Sequence, residues 1–245
     1  MNIIASYNIK GGVGKTSTIV NLSYCSAMDG YRTLLWDLDP QAAATFYFRI
    51  KPRIKGGGSR LLEKKNALYD AIKGSDYKNL DIVPADFSLR NLDLFLDEFK
   101  KPTRKLIKML KSVEEDYDFI FLDCAPSISL VSESILFAAN VALIPTIPTV
   151  LSLRTLDQLI KFCGKHEIST RILPVFSMVD TRKEMHRSIV QNPPKLPEPM
   201  LMTLIPYNSQ IEKMGEHRSP VFEFEPWGVA AKAYLELWTE LQSRL

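Results

Sequence analysis

One short run constrains this chain more than any other. Lys10-Gly11-Gly12-Val13-Gly14-Lys15-Thr16 directly follows an apolar stretch, Ile3–Tyr7, and opens a helical pattern from Lys15 to Met28. Glycines let consecutive backbone N–H groups turn toward one point without Cβ clashes. The start of a helix adds partial positive charge at that point. Lys15 then reaches terminal phosphates, and the Thr16 hydroxyl can ligate Mg²⁺. A plain glycine-rich turn requires no such agreement between strand, loop and helix. The run, continued by Ser17, reads as a phosphate cradle.

The rest of the sequence suits that reading. Apolar runs expected as strands are Ile3–Tyr7, Thr33–Leu38, Leu80–Pro84, Phe119–Asp123, Val141–Pro145, Arg171–Phe176 and Met200–Ile205. They are apolar on both faces, as buried parallel strands are. Helical patterns fall between them at Lys15–Met28, Thr103–Val113, Ser132–Ala139, Thr155–His166 and Val229–Leu245. The first is expected to stop at Asp29-Gly30, with Gly30 as a left-handed cap. The alternation predicts one doubly wound α/β domain over residues 1–245, a mostly parallel sheet flanked by helices. Residues 49–65 hold seven Lys/Arg, one acid and a glycine triplet, and read as a flexible basic loop. Four prolines in 191–199 predict an extended surface connection.

Composition excludes several classes. The chain has 245 residues, 46% apolar and 24% charged, which is ordinary for a globular protein. Its three cysteines, Cys25, Cys124 and Cys163, form no C-x-x-C, and its three histidines are scattered. A disulfide framework or zinc site does not fit, and a reducing cytoplasm does. No apolar run reaches the roughly 18 residues a bilayer span needs. A formal charge of +3 is too small to argue for nucleic acid by itself. With a strand starting at Ile3, neither a signal peptide nor a preceding DNA-reading domain is expected.

The usual spacing G-x-x-x-x-G-K-[ST] is not met, because Ile9 stands where its first glycine would fall and Lys10 opens the loop. Two further acidic elements follow. Asp37 and Asp39, in Trp36-Asp37-Leu38-Asp39-Pro40-Gln41, end an apolar run two residues apart and so point the same way. Asp123 ends Tyr117-Asp118-Phe119-Ile120-Phe121-Leu122-Asp123, an apolar strand closing on a carboxylate near a metal.

Together these elements resemble the deviant Walker A ATPases, the P-loop NTPases that include ParA, MinD and the nitrogenase iron protein. The resemblance extends through Asn66-Ala67-Leu68-Tyr69-Asp70, Ile82-Val83-Pro84-Ala85, Ser177–Arg182 and Leu204-Ile205-Pro206-Tyr207-Asn208, and so spans the chain. The D-x-D-P-Q box is similar to ParA and unlike MinD. The likeness is greatest to short ParA-type partition ATPases without an N-terminal DNA-binding domain.

The resemblance implies ATP and Mg²⁺ as ligands, held by Lys10, Gly11, Gly12, Val13, Gly14, Lys15, Thr16 and Ser17. Lys10 would be the signature lysine that reaches the nucleotide of a second subunit in an ATP-sandwich homodimer. Lys10, Lys15 and Asp39 would be catalytic, with Asp39 orienting the attacking water. Thr16, Asp37 and Asp123 would surround the metal. Pro206 and Asn208 would lie beside the adenine, although Tyr207 stands where the family commonly has arginine. Cys124 has no neighbouring cysteine for an iron–sulfur cluster and reads as a small buried residue.

ParA relatives bind DNA without sequence preference as ATP dimers and release it when a partner stimulates their slow hydrolysis. The resemblance therefore implies non-specific DNA and an activating ParB-like or cargo-adaptor protein as partners, and a nucleoid-associated, cytoplasmic location. Candidate DNA contacts are Arg182, Arg187, Lys213 and Arg218. The 49–65 segment and Lys100–Lys111, with six cations and no acid, are further basic patches. Two alternatives stay open, a MinD-like membrane-cycling ATPase and a metabolic ATP-dependent enzyme on the same fold. The C-terminal amphipathic pattern carries only Lys232 and Arg244 as cations, which suits packing on the sheet better than a membrane surface.

Overall fold

The computed structural model describes every residue except Lys65. Among the described residues the elements run β1 (Asn2–Ser6), α1 (Lys15–Met28), β2 (Thr33–Asp37), α2 (Ala43–Tyr47), α3 (Gly57–Glu63), α4 (Ala67–Ala71), β3 (Lys73–Gly74) and β4 (Leu80–Val83). Then come α5 (Leu92–Asp97), α6 (Pro102–Lys111), β5 (Phe119–Asp123), α7 (Leu130–Ala138), β6 (Val141–Thr146), α8 (Val150–Lys165), β7 (Arg171–Val179), α9 (Glu184–Gln191), β8 (Leu204–Pro206), α10 (Ser209–His217) and α11 (Val229–Ser243).

The strands form one sheet in the order β3-β4-β2-β5-β1-β6-β7-β8. Every pairing is parallel except that of β3 with β4. Alternate side chains feed two cores. Ile3, Ala5, Leu34, Trp36, Ile120 and Leu122 face one, which α5, α6, α7 and α8 cover with residues such as Leu96, Leu110, Ile135 and Leu156. Ile4, Leu35, Phe119, Phe121, Val141 and Leu143 face the other, against α1, α10 and α11. Being buried on both sides, β2, β5 and β6 have no solvent-facing side, as their sequences indicate.

The wide sheet turns back at β1, which lies between β5 and β6. Sheets of this kind bind ligands at the carboxyl ends of their strands where the order reverses. The register there pairs Ser6 with Asp123 and Asp37 with Asp123. Carboxylates 86 residues apart in sequence thus become lateral neighbours.

Several expectations need correction. Residues 49–65 are not a flexible loop as a whole: Gly57–Glu63 forms α3, and Ile54, Leu61 and Leu62 are buried. The portion of that expectation at Lys65 lies outside the described residues. The strand expected over 200–205 spans Leu204–Pro206, because the Met202 and Thr203 N–H groups donate to the Glu240 carboxylate instead of the sheet. The helix expected at 155–166 starts at Val150, where the Thr149 hydroxyl accepts from the Ser152 N–H. Gly30 has the expected left-handed backbone, with φ 92°. α11 buries its apolar stripe, including Tyr234, Leu237, Trp238 and Leu241, on the sheet. Among the described residues no helix is long and apolar enough to cross a membrane.

Candidate functional site

The loop between β1 and α1 is built by backbone geometry that its sequence permits. Gly12 and Gly14 have φ of 69° and 89°, the left-handed region where glycine carries no Cβ penalty. A Cβ on Gly14 would also stand 2.9 Å from the Ser177 hydroxyl. Asn8, nearly fully buried, braces the loop from beneath. Its Nδ2 donates to the Pro145 carbonyl at 2.8 Å and its Oδ1 accepts from the Lys10 N–H at 2.9 Å. Ser6 donates to the Lys15 carbonyl at 3.1 Å.

α1 starts without a side-chain cap and without an acid in its first turn. By contrast, Ser129, Thr149 and Asn208 accept backbone N–H groups at the starts of α7, α8 and α10. The first N–H groups of a helix have no partner within it. At α1 they are left facing the loop, an arrangement suited to an anion.

Two lysines converge there. Lys15 is buried, and its Nζ donates to the Lys10 carbonyl at 3.3 Å. Burial holds its pKa below the ordinary lysine value, against the opposing pull of Asp123 and Asp39. The exposed Lys10 reaches Ser152 Oγ in α8, at 3.4 Å.

The three aspartates differ sharply. Asp37 is buried and fully engaged. Its Oδ1 accepts from the Asp39 N–H at 3.1 Å, and its Oδ2 accepts from the Thr45 N–H and hydroxyl at 2.8 and 2.7 Å. Burial raises its pKa to about 6 despite those bonds, with the Asp39 charge contributing. Asp39 is half-buried and accepts from the Gln41 N–H at 2.9 Å. Asp123 is fully buried, and neither oxygen has a hydrogen-bond partner. Burial and then the Asp37 charge push its pKa well up, and nearby Thr16 and Lys15 offset this only in part. An orphaned, buried carboxylate costs about 1–3 kcal/mol or more.

The other sequence-derived residues fall in two places. Pro206 and Asn208 share a cleft with Gly14, Ser17, Ser177, Met178 and Tyr207. Met178 has φ 54° in the irregular stretch of β7 that lines this cleft. Arg182 and Arg187 lie after β7. Arg182 forks onto Asp180 at 2.9 and 3.0 Å, while Arg187 donates to the carbonyls of Thr181 and Arg182. Lys213 is exposed on α10. Arg218 stacks over Phe46, 4.4 Å from the ring centroid. The arginines and Lys213 therefore do not join the phosphate loop.

Sequence reasoning missed Asn8, Thr45, Ser152 and Ser177. Thr45 follows Asp37 by eight residues, and a hydroxyl so near a buried acid was the available signal. The others are single polar residues whose partners are distant in sequence. Cys25, Cys124 and Cys163 are all free and buried.

The family model described as an AAA domain matches residues 1–173. The sporulation initiation inhibitor protein Soj of Bacillus subtilis is 32% identical, covering 98% of this chain and 97% of its own. Cobyrinic acid a,c-diamide synthase from Mycobacterium smegmatis, with bound ATP analogue and magnesium, has a TM-score of 0.85 at 22% identity, covering 100% of this chain and 95% of its own. A putative plasmid partition protein from Borrelia burgdorferi, bound to AMPPNP, has a TM-score of 0.82 at 21% identity, covering 100% and 99%. The two structural likenesses concern the fold.

Proposed function

This chain belongs to the ParA/MinD family of deviant Walker A ATPases, and from that membership we propose an ATP-switched dimer that holds DNA non-specifically and positions a DNA or protein cargo. The observation that carries the reading is Asp123, a buried carboxylate without a partner at the strand end beside Lys15. Thr16 and Asp123 offer the hard oxygen donors that Mg²⁺ takes. Asp37 adds negative charge from the neighbouring strand, but its own oxygens are engaged. When bound, Mg²⁺ neutralises charge on the phosphates during transfer to water.

In this proposal the N–H groups of Gly11 to Ser17 and the Lys15 ammonium hold the phosphates of ATP. Asp39, tethered by Gln41, orients the attacking water. Lys10 leaves Ser152 and reaches the nucleotide of the second copy. The cleft at Pro206 and Asn208 receives the adenine. Arg182, Arg187, Lys213 and Arg218 meet DNA phosphates in the dimer, and an activating protein of the ParB or cargo-adaptor class stimulates hydrolysis. Until that hydrolysis the ATP-bound dimer resides on the nucleoid, in the cytoplasm.

Sedimentation of wild type and Asp39→Ala with ATP, ADP or no nucleotide, alongside phosphate release, tests this. ATP should produce dimers of both, and only wild type should return to monomer as ATP is spent. A monomer in every state contradicts the switch.

A second reading is an ATP-dependent ligase. An open cavity of about 650 Å³ beside the Asp39 turn, lined by Gln41, Tyr47, Lys51 and Arg218 among others, favours it. Its volume suits a small molecule. ATP turnover that needs neither dimer nor DNA and rises with a carboxylic-acid acceptor would support this alternative.

A further inference from the structure

The basic stripe of α6 has no role in the switch described above, and its electrostatics run against its own stability. Lys101, Arg104, Lys105, Lys108 and Lys111 recur at spacings of three and four, and Lys100 precedes them. Like charges at that spacing repel along a helix. Cations in the first turn also oppose the helix dipole. Among the described residues none of the six is in an ion pair, whereas Arg32, Arg49, Lys64, Lys161 and Arg182 all are. Without these six the whole chain would be net acidic.

The stripe must face water, because the opposite side of α6 is committed. Leu106, Met109 and Leu110 are buried in the core beneath α5 and α7. Beside it, the end of α3 forms the second wall of a groove of about 310 Å³, which brings Lys64 opposite Lys105 and Lys108. Among the described residues Glu63 is the one acid in its lining. Lys105 lies over the Phe99 ring, 4.6 Å from its centroid. α10, which carries Lys213 and leads to Arg218, packs on the other core.

We propose that α6 is a second contact for the backbone of duplex DNA, independent of nucleotide and on the opposite face of the sheet from Lys213 and Arg218. The choice of DNA as ligand rests on the function proposed above. A ten-residue helix spans about 15 Å, enough to follow several successive phosphates. Its apolar side is in the core, so the helix has nothing to insert into a lipid surface. Because no nucleotide-binding residue belongs to the stripe, the contact persists after hydrolysis. It keeps the released protein close to DNA and lets one protomer touch two duplex segments.

The test is binding of a fluorescent mixed-sequence duplex without nucleotide, at about 50 and 200 mM salt. Wild type is compared with the triple variant Arg104→Gln, Lys105→Gln, Lys108→Gln, and with Lys108→Glu alone. Glutamine has nearly the helix propensity of the residues replaced, and the change relieves repulsion, so folding should hold; a thermal melt checks this. Wild type should bind at the lower salt. The triple variant should bind tenfold or more weakly, with a salt slope shallower by about three. Lys108→Glu should weaken binding by about threefold or more. Equal binding by wild type and triple variant, or no nucleotide-free binding by either, overturns the proposal. So does loss of binding to phosphatidylglycerol vesicles with none lost on DNA. If nucleotide-free binding behaves as described but ATP adds nothing, the proposed switch fails and this contact stands.

Discussion

Asp123 and Asp180 occupy equivalent places, at the carboxyl ends of β5 and β7, and live in opposite environments. Asp180 accepts a two-pronged fork and a backbone N–H from Arg182, and its pKa is drawn down to about 2. Asp123 accepts nothing and its pKa is pushed up. One carboxylate shapes a surface turn and is satisfied by the chain itself. The other sits between its strand neighbours with Thr16 and Lys15 close by, and neither of its oxygens has a hydrogen-bond partner. The contrast separates an acid satisfied within the fold from one left without a partner, and it is the second that the proposed function uses.

The largest effect on nucleotide binding should come from the charge that faces Asp123. Lys15→Ala should weaken ATP binding by about 100-fold or more, since charge-assisted bonds contribute about 1.5–3 kcal/mol each. Isothermal titration checks it, and unchanged affinity would detach Asp123 from a phosphate site. Asp39→Ala should lower hydrolysis by about 10²–10⁴ while keeping ATP-driven dimers, the range for a lost general base. Single-turnover phosphate release reads this directly.

Asp123→Asn should sharpen the comparison through stability. A folded pKa raised above the unfolded value favours the protonated folded state. Asp123 therefore costs nothing below about pH 4, its cost grows as pH rises from there toward its elevated folded pKa, and it is constant above that. The Asn variant should melt higher than wild type at pH 7, by about 1–3 kcal/mol of stability, and equally near pH 3. Mg²⁺ should no longer affect its nucleotide affinity. A variant less stable at pH 7 would mean that Asp123 has an internal partner.

Gly14→Ala should cost about 1–3 kcal/mol, from its left-handed backbone and the close Ser177 hydroxyl. Denaturant titration measures it. Arg182→Ala should have the smallest effect on stability, because the guanidinium that pairs with the largely buried Asp180 carboxylate is itself exposed to water. A clear fall in its melting temperature would erase the distinction between the two aspartates.

Much of this was legible in sequence because it depends on local rules. β1, β2, β5 and β6 emerge within a residue at each end, since strands buried on both faces are unbroken apolar runs. Asp37, Asp39 and Asp123 are visible because each closes such a run. What sequence could not supply depends on distant partners. α3 starts within a run of three glycines, Gly56 to Gly58, and docking of Leu61 and Leu62 holds it as a helix. β3 is two residues long and exists through Ile82 and Asp81. The different fates of Asp37 and Asp123 turn on Thr45, eight residues from one and unavailable to the other. Asn8 gives no sign of its role until Pro145 arrives beside it.

The most direct test of the central claim is binding of wild type to a non-specific duplex at physiological salt with ATP, ADP or no nucleotide. The account predicts binding at least tenfold tighter with ATP than in either other state, weakening steeply as salt rises. Affinity that is the same in all three states would contradict it, leaving an ATPase whose nucleotide does not govern its hold on DNA.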